Sequence, residues 1–272
     1  MSNDGKGQSY QEWIQDAQTG RNSEWKFNVT FDASPDTPEA PPLPQNTLFH
    51  ENVESYAMSQ TSISSANVQV AAKITTEQDL FAPCMVGTLE SQFLKMYTKT
   101  TRAQRILDIG TFTGMSAIAF AEGALSAGNA NAHVDTLEFD DNVAKAAQKI
   151  FDSCDSKVRN AITLHKGDAV AWMEALADQE NGETYDIIFI DADKENYVKY
   201  YDLAMGGKNG RRSLLSKNGI ILADNSLSAL LYDEGDYRRL ALHQFNQYVK
   251  NDDRVEQVVM TMREGITMIT CK

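Results

Sequence analysis

The 272-residue sequence predicts an α/β fold: a doubly wound, mostly parallel seven-stranded sheet with helices on both faces and an antiparallel hairpin at its C-terminal end. Two observations predict it. From Arg105 to Ala223, short apolar runs alternate with helical patterns at the spacing of successive βα units, and such an alternation winds into a parallel sheet. The last two strand-like runs are parted only by Met262 to Gly265, and so short a connection makes a hairpin, because a parallel crossover needs about a dozen residues or more.

From the N-terminus, Trp25, Phe27, Val29 and Phe31 alternate with Lys26, Asn28 and Thr30, a period of two that predicts a short strand or extended arm with one apolar face. Such an arm serves as a local packing strap or, in the sharper reading, as a lid or dimer arm. Five of the six prolines fall between Pro35 and Pro44 among Asp, Ser, Thr and Glu, a composition that reads as a linker. The arm and linker therefore take residues 1–45 and the main domain residues 46–272. From residue 48 two or three helical stretches lead to the first core strand, Arg105 to Ile109, whose apolar run ends in glycines and passes into the small, apolar helix Met115 to Ala127. Further strands are expected at Val134 to Leu137, Ile162 to His165, Tyr185 to Ile190 and Ile220 to Ala223. Helical patterns around 142 to 151, 169 to 177 and 196 to 204 lie between them. A helix near 236 to 250 leads to the hairpin strands Val255 to Thr261 and Ile266 to Cys271.

Composition narrows the function. No apolar run approaches the roughly 18 residues of a membrane helix, and the first twenty residues have neither a basic start nor an apolar stretch of signal-peptide length. A cytoplasmic protein is expected, with the sequon Asn28-Val29-Thr30 unglycosylated. Cys84, Cys154 and Cys271 are far apart and odd in number, which fits reduced thiols better than a disulfide frame or a zinc site. A net charge of −13 repels nucleic acid and anionic membranes and suits a cationic ligand or a metal. His50, His133, His165 and His243 are scattered without a partner motif and carry no catalytic expectation.

Three strand ends carry chemistry. Asp108-Ile109-Gly110-Thr111-Phe112-Thr113-Gly114 closes the first core strand, where glycines let the backbone turn tightly and approach a ligand. Glu138 closes the next strand, where a carboxylate can accept both hydroxyls of a ribose. The turn is GxxxG and not the GxGxxG that seats a pyrophosphate, and Asp108 stands where phosphates would be unwelcome, so a cationic, phosphate-free cofactor fits. The strand Asp186 to Ile190 emerges into Asp191-Ala192-Asp193-Lys194, and Ile220 to Ala223 ends in Asp224-Asn225. Neighbouring strand ends lie about 4.8 Å apart, so Asp191, Asp224 and Asn225 can converge on one hard cation such as Mg²⁺ and leave room for substrate. Lys194 stands three residues after Asp191, on the same face if the chain turns helical, and a metal nearby would depress its pKa toward that of a proton acceptor.

These residues resemble the class I S-adenosylmethionine-dependent O-methyltransferases, in particular the metal-dependent branch of plant caffeoyl-CoA and animal catechol O-methyltransferases. The resemblance runs from about Asn46 to the C-terminus. Its most specific parts are the glycine turn with Ser116 behind it, Phe189 to Tyr197, Asp224-Asn225, Asp253-Arg254-Val255-Glu256 and Gly265-Ile266-Thr267. It implies a Rossmann-like methyltransferase fold, S-adenosylmethionine held by Val86, Asp108, Gly110, Thr111, Ser116, Glu138, Ala169 and Asp193, and a metal on Asp191, Asp224 and Asn225. It also implies Lys194 nearest the reacting hydroxyl, a small vicinal-diol substrate of catechol, phenylpropanoid or flavonoid type, and a homodimer. Plant caffeoyl-CoA enzymes carry Trp-Asn-Gly soon after the Asp-Asn pair, whereas Ser226 to Leu230 follows here, which speaks against a coenzyme A ester. The closing segment is also similar to cyanobacterial enzymes that methylate deoxygadusol, a cyclic enol. Two other classes stay open: a nucleotide-dependent oxidoreductase, and a cofactor-binding protein without catalysis, which would need neither the metal trio nor Lys194.

Overall fold

The computed structural model describes residues 53–78, 80–207, 210–233 and 235–272; the Trp25 to Phe31 alternation, the proline-rich stretch and His50 lie outside the described residues. Three helices come first, α1 (Val53–Gln60), α2 (Ala66–Glu77) and α3 (Gly87–Thr101). Then follow β1 (Arg105–Ile109), α4 (Met115–Ser126), β2 (His133–Glu138), α5 (Asp141–Ser153), α6 (Ser156–Ala161) and β3 (Ile162–Lys166). The second half holds α7 (Ala169–Ala177), β4 (Tyr185–Ile190), α8 (Tyr197–Met205), β5 (Leu215–Ala223) and α9 (Ser228–Leu231). It ends with α10 (Tyr237–Lys250), β6 (Val255–Met260) and β7 (Ile266–Cys271). The strands form one sheet in the order β3-β2-β1-β4-β5-β7-β6. All pairings through β5 are parallel, and β7 enters antiparallel between β5 and β6.

The central strands are apolar on both faces because both faces are covered. Ile106, Ile187, Phe189 and Leu222 pack with α2 to α6, while Leu107, Ile109, Ile188, Ile190 and Ile221 pack with α7, α8 and α10. Alternate residues of one strand thus feed opposite cores. Helix α4 is buried over nearly its whole length, and its small residues let it lie close: a Cβ on Gly123 would meet the backbone carbonyl of Lys95 in α3. Asp140, Asp155, Asp168 and Asp236 each cap the helix that follows by accepting from its first free amides.

Three elements depart from the sequence expectation. Strand β5 begins at Leu215 and not near Ile220, since Lys217-Asn218-Gly219 reads locally as a turn but is absorbed by an irregular register against Tyr185 and Ile187. Helices α6 and α9 are too short to show a period. Among the described residues no helix is long and apolar enough to cross a membrane, and Cys84, Cys154 and Cys271 are free thiols.

Candidate active site

All five parallel strands end on one edge, which brings the tail of β3 (leading to Ala169), Glu138 on β2, Gly110 after β1, Asp191 after β4 and Asp224 after β5 into a row in sheet order. The strand order reverses between β1 and β4, and at such a switch point the departing loops part and leave a crevice. A narrow cleft opens there between the Cys84 to Val86 segment and the glycine turn, with Asp191 on its wall. Gly110 has φ 105°, and a Cβ on it would overlap the backbone carbonyl of Asp191. Both the left-handed backbone and this close approach require glycine. Gly110→Ala should therefore cost about 2 kcal/mol or more and lower the melting temperature by several degrees; a wild-type melting curve would contradict this account of the turn.

Beneath the turn lies a buried polar stack. Asp108 is wholly inaccessible; its Oδ2 accepts from Thr136 Oγ1 at 2.7 Å and Ser116 Oγ at 3.0 Å, while its Oδ1 has no partner. Burial pushes its carboxyl up to about 7 against the pull of those two hydroxyls. Thr111 turns its hydroxyl inward to Thr136 at 2.7 Å, so what it can offer the cleft is backbone. Glu138 accepts from the amides of Phe112 at 2.8 Å and Asp140 at 2.9 Å, which aim the carboxylate along the edge, and burial raises it to about 7 as well. Val86 is buried on the opposite wall of the cleft, and Ala169 opens α7 behind the Asp168 cap. Asp193 is exposed and binds locally, accepting from Tyr200 Oη at 2.6 Å and from the Asn196 amide.

The pairing of Ile190 with Ala223, and the Asp224 amide donating to the Ile190 carbonyl at 3.0 Å, set Asp191 and Asp224 side by side. Asp224 is buried, and its Oδ1 has no partner. Burial first and the Asp191 charge second push its carboxyl well above the usual range. Asn225 follows with φ 60°, its amide bonded to Glu264 at 2.6 Å. Lys194 opens a short 3-10 turn, Lys194–Asn196, and places Nζ 3.0 Å from Asp191 Oδ1 and 2.7 Å from Tyr197 Oη. Burial alone would pull this amine down, but Tyr197, Asp191, Tyr232 and Asp224 outweigh it and hold it well above an ordinary lysine. Asp191, Asp224 and the two tyrosines thus favour the ammonium form of Lys194.

Sequence reasoning missed several residues that this site contains. Glu90 of α3 is buried, its Oε1 has no partner, and burial together with Asp224 and Asp191 keeps its carboxyl well above the usual range. A glutamate on the apolar face of a helix is a usable signal, and Tyr197 closes the Phe189 to Tyr197 motif three residues after Lys194; Glu264 gives none, since only the folded chain brings it in. Among the described residues no three or more His, Cys, Asp or Glu side chains form a metal-binding group, so two carboxylates and an amide are what the strand ends supply.

The family model for O-methyltransferases matches residues 58–272. A probable caffeoyl-CoA O-methyltransferase of Dictyostelium discoideum is 28% identical over 67% of this chain and 74% of its own length. The tapetum-specific methyltransferase 1 of Arabidopsis thaliana is 31% identical over 66% of this chain and 74% of its own. Among solved structures, an SAH-bound methyltransferase of Podospora anserina is 25% identical with a TM-score of 0.70, covering 86% of this chain and 100% of its own. A Bacillus cereus O-methyltransferase in complex with SAH has a TM-score of 0.68 at 22% identity, covering 81% and 97%.

Proposed function

This chain belongs to the O-methyltransferase family, and on that premise we propose that it moves a methyl group from S-adenosylmethionine to one hydroxyl of a small substrate with two adjacent oxygens, using a divalent metal. Membership sets aside the oxidoreductase and the non-catalytic binding protein. The observation that carries the metal reading is Asp224, a buried carboxyl beside Asp191: Lys194 bonds Asp191, and the unpartnered Oδ1 of Asp224 is costly until a cation claims it. Asp191, Asp224 and Asn225 fit a hard cation by donor type, and Mg²⁺ is the natural candidate. When bound, such a cation supplies Lewis acidity and a two-point seat for adjacent oxygens.

The residues of the chain do the rest. When ionised, the buried Asp108 places negative charge below the glycine turn, where it would attract a cationic cofactor through space, and Glu138 takes the ribose hydroxyls. Val86, Gly110, Thr111, Ser116, Ala169 and Asp193 complete the cofactor surround in this reading, within a catalytic domain of residues 46–272. A cation on Asp191 and Asp224 would neutralise two of the four groups that hold Lys194 protonated, which would ease loss of its proton to solvent and so let the neutral Nζ receive the proton of a substrate hydroxyl. The acceptor is a catechol-like diol or, as the second substrate reading, a cyclic enol with a neighbouring oxygen. A methyl-transfer screen of catechols, flavonoids, caffeoyl esters and cyclic enols tests this; methylation of none of them, with cofactor bound, would overturn the substrate class.

The Glu138 assignment has its own test. A carboxyl near pH 7 must be ionised to accept both hydroxyls, and Asp108 ionises over the same range, so cofactor affinity should rise about ten-fold or more from pH 6 to pH 8, and less steeply in Glu138→Ala. Glu138→Ala should bind roughly ten-fold or more weakly at pH 8, as expected for a lost charge-assisted acceptor. Calorimetry at both pH values decides, and undiminished affinity in a folded variant would remove Glu138 from the cofactor site.

A further inference from the structure

We propose that Glu264 is a positioning residue that fixes which end of the Asn225 side-chain amide faces the Asp191–Asp224 pair; this rests on the metal reading above. An asparagine amide has two ends of nearly equal size, one that only accepts and one that only donates. Beside two carboxylates the donor end is the one attracted, and in that orientation NH₂ protons would point where a cation needs oxygen. The Glu264 carboxylate resolves the competition, since its Oε2 accepts from Asn225 Nδ2 at 2.6 Å and leaves the carbonyl end of the amide turned away from it.

Glu264 can do this because the β6–β7 turn is fastened to the loop after β5. The Ser226 amide donates to the Gly265 carbonyl at 2.9 Å and the Leu227 amide to the Glu264 carbonyl at 2.8 Å. Gly265 has φ 90°, and a Cβ there would stand 2.8 Å from the Leu227 amide nitrogen, so the turn lies flush on the loop. On its other side Arg263, at φ 47°, donates from Nη1 to the Met85 carbonyl at 3.0 Å and lies 3.7 Å from Glu90. The hairpin thus grips both the cleft wall and the Asp224-Asn225 loop, and Glu264 is its contact to the amide. A glutamate in a hairpin turn would otherwise face solvent.

The test is Mn²⁺ binding to the full chain, followed by the loss of the free-ion paramagnetic signal, with cofactor affinity and thermal melting measured alongside. In E264A, Mn²⁺ affinity should fall about 10- to 100-fold, the usual consequence of removing a residue that orients a ligand, while cofactor affinity stays within about two-fold. E264Q keeps an acceptor oxygen without the charge and should recover most of the lost affinity. The Asn225 side-chain amide protons, identified by their absence in N225D, should shift and exchange faster in E264A even without metal. E264L serves if E264A fails to fold. Wild-type Mn²⁺ affinity in a folded E264A or E264L would overturn the proposal alone. E264Q as weak as E264A would also overturn it, since the effect would then be one of charge. A wild-type chain that binds no Mn²⁺ would overturn the metal reading and this proposal together.

Discussion

Lys194→Met should lose nearly all methyl transfer, about 100-fold or more in kcat, while cofactor affinity stays close to wild type. The expectation rests on where the amine sits: Nζ bonds Asp191 at 3.0 Å and Tyr197 Oη at 2.7 Å, with 11% of the side chain exposed. Methionine keeps much of the length and apolar bulk but cannot exchange a proton, and loss of a positioned acid or base typically removes a factor of 10² to 10⁴. Cofactor affinity is the control because the Asp108 stack and Glu138 do not touch Lys194. Single-turnover rates with labelled donor, beside calorimetry, separate the two effects. If the folded variant turns over within about three-fold of wild type, Lys194 is only a structural counterion of Asp191.

Chelation should be as severe. Treatment with EDTA should reduce transfer by about 100-fold or more, and added Mg²⁺ should restore it, because the two buried carboxylates would otherwise face a nucleophile that must itself become negative. A phenol titrates near pH 10, judging by tyrosine, and the acidic side chains beside it oppose its ionisation further. Restoration matters as much as loss: the two cores are built from apolar side chains and not from Asp191, Asp224 or Asn225, so the chelated chain should keep its melting transition. A monohydroxylated analogue methylated in EDTA as fast as its vicinal diol would rule out the metal mechanism.

The strand ends that make up the candidate site were legible because each is a local event. β1, β4 and β7 fall where their apolar runs fall, and a charged or glycine residue ending such a run must lie on the sheet edge whatever the rest of the chain does. Gly110, Glu138, Asp191 and Asp224 could therefore be named before any contact was known. The hairpin followed in the same way from the brevity of Met262 to Gly265. Strand β5 was read short because its first half resembles a turn and is held in the sheet by pairing alone, Tyr185 with Leu215.

The order of βα units, the covalent position of each acidic strand end and the family these motifs resemble are all written in the linear chain. The electrical state of the site follows instead from folding. Asp108, one of seven residues in a glycine-turn motif, became a buried carboxyl raised to about 7 because α4 and β2 close over it. Glu90 and Glu264 joined Asp191, Asp224 and Lys194 from separate elements, Glu264 from 39 residues beyond the amide it holds. Charge and hydrogen-bond direction depend on distances of a few ångströms between groups remote in the chain, and a linear pattern carries periodicity but not those distances.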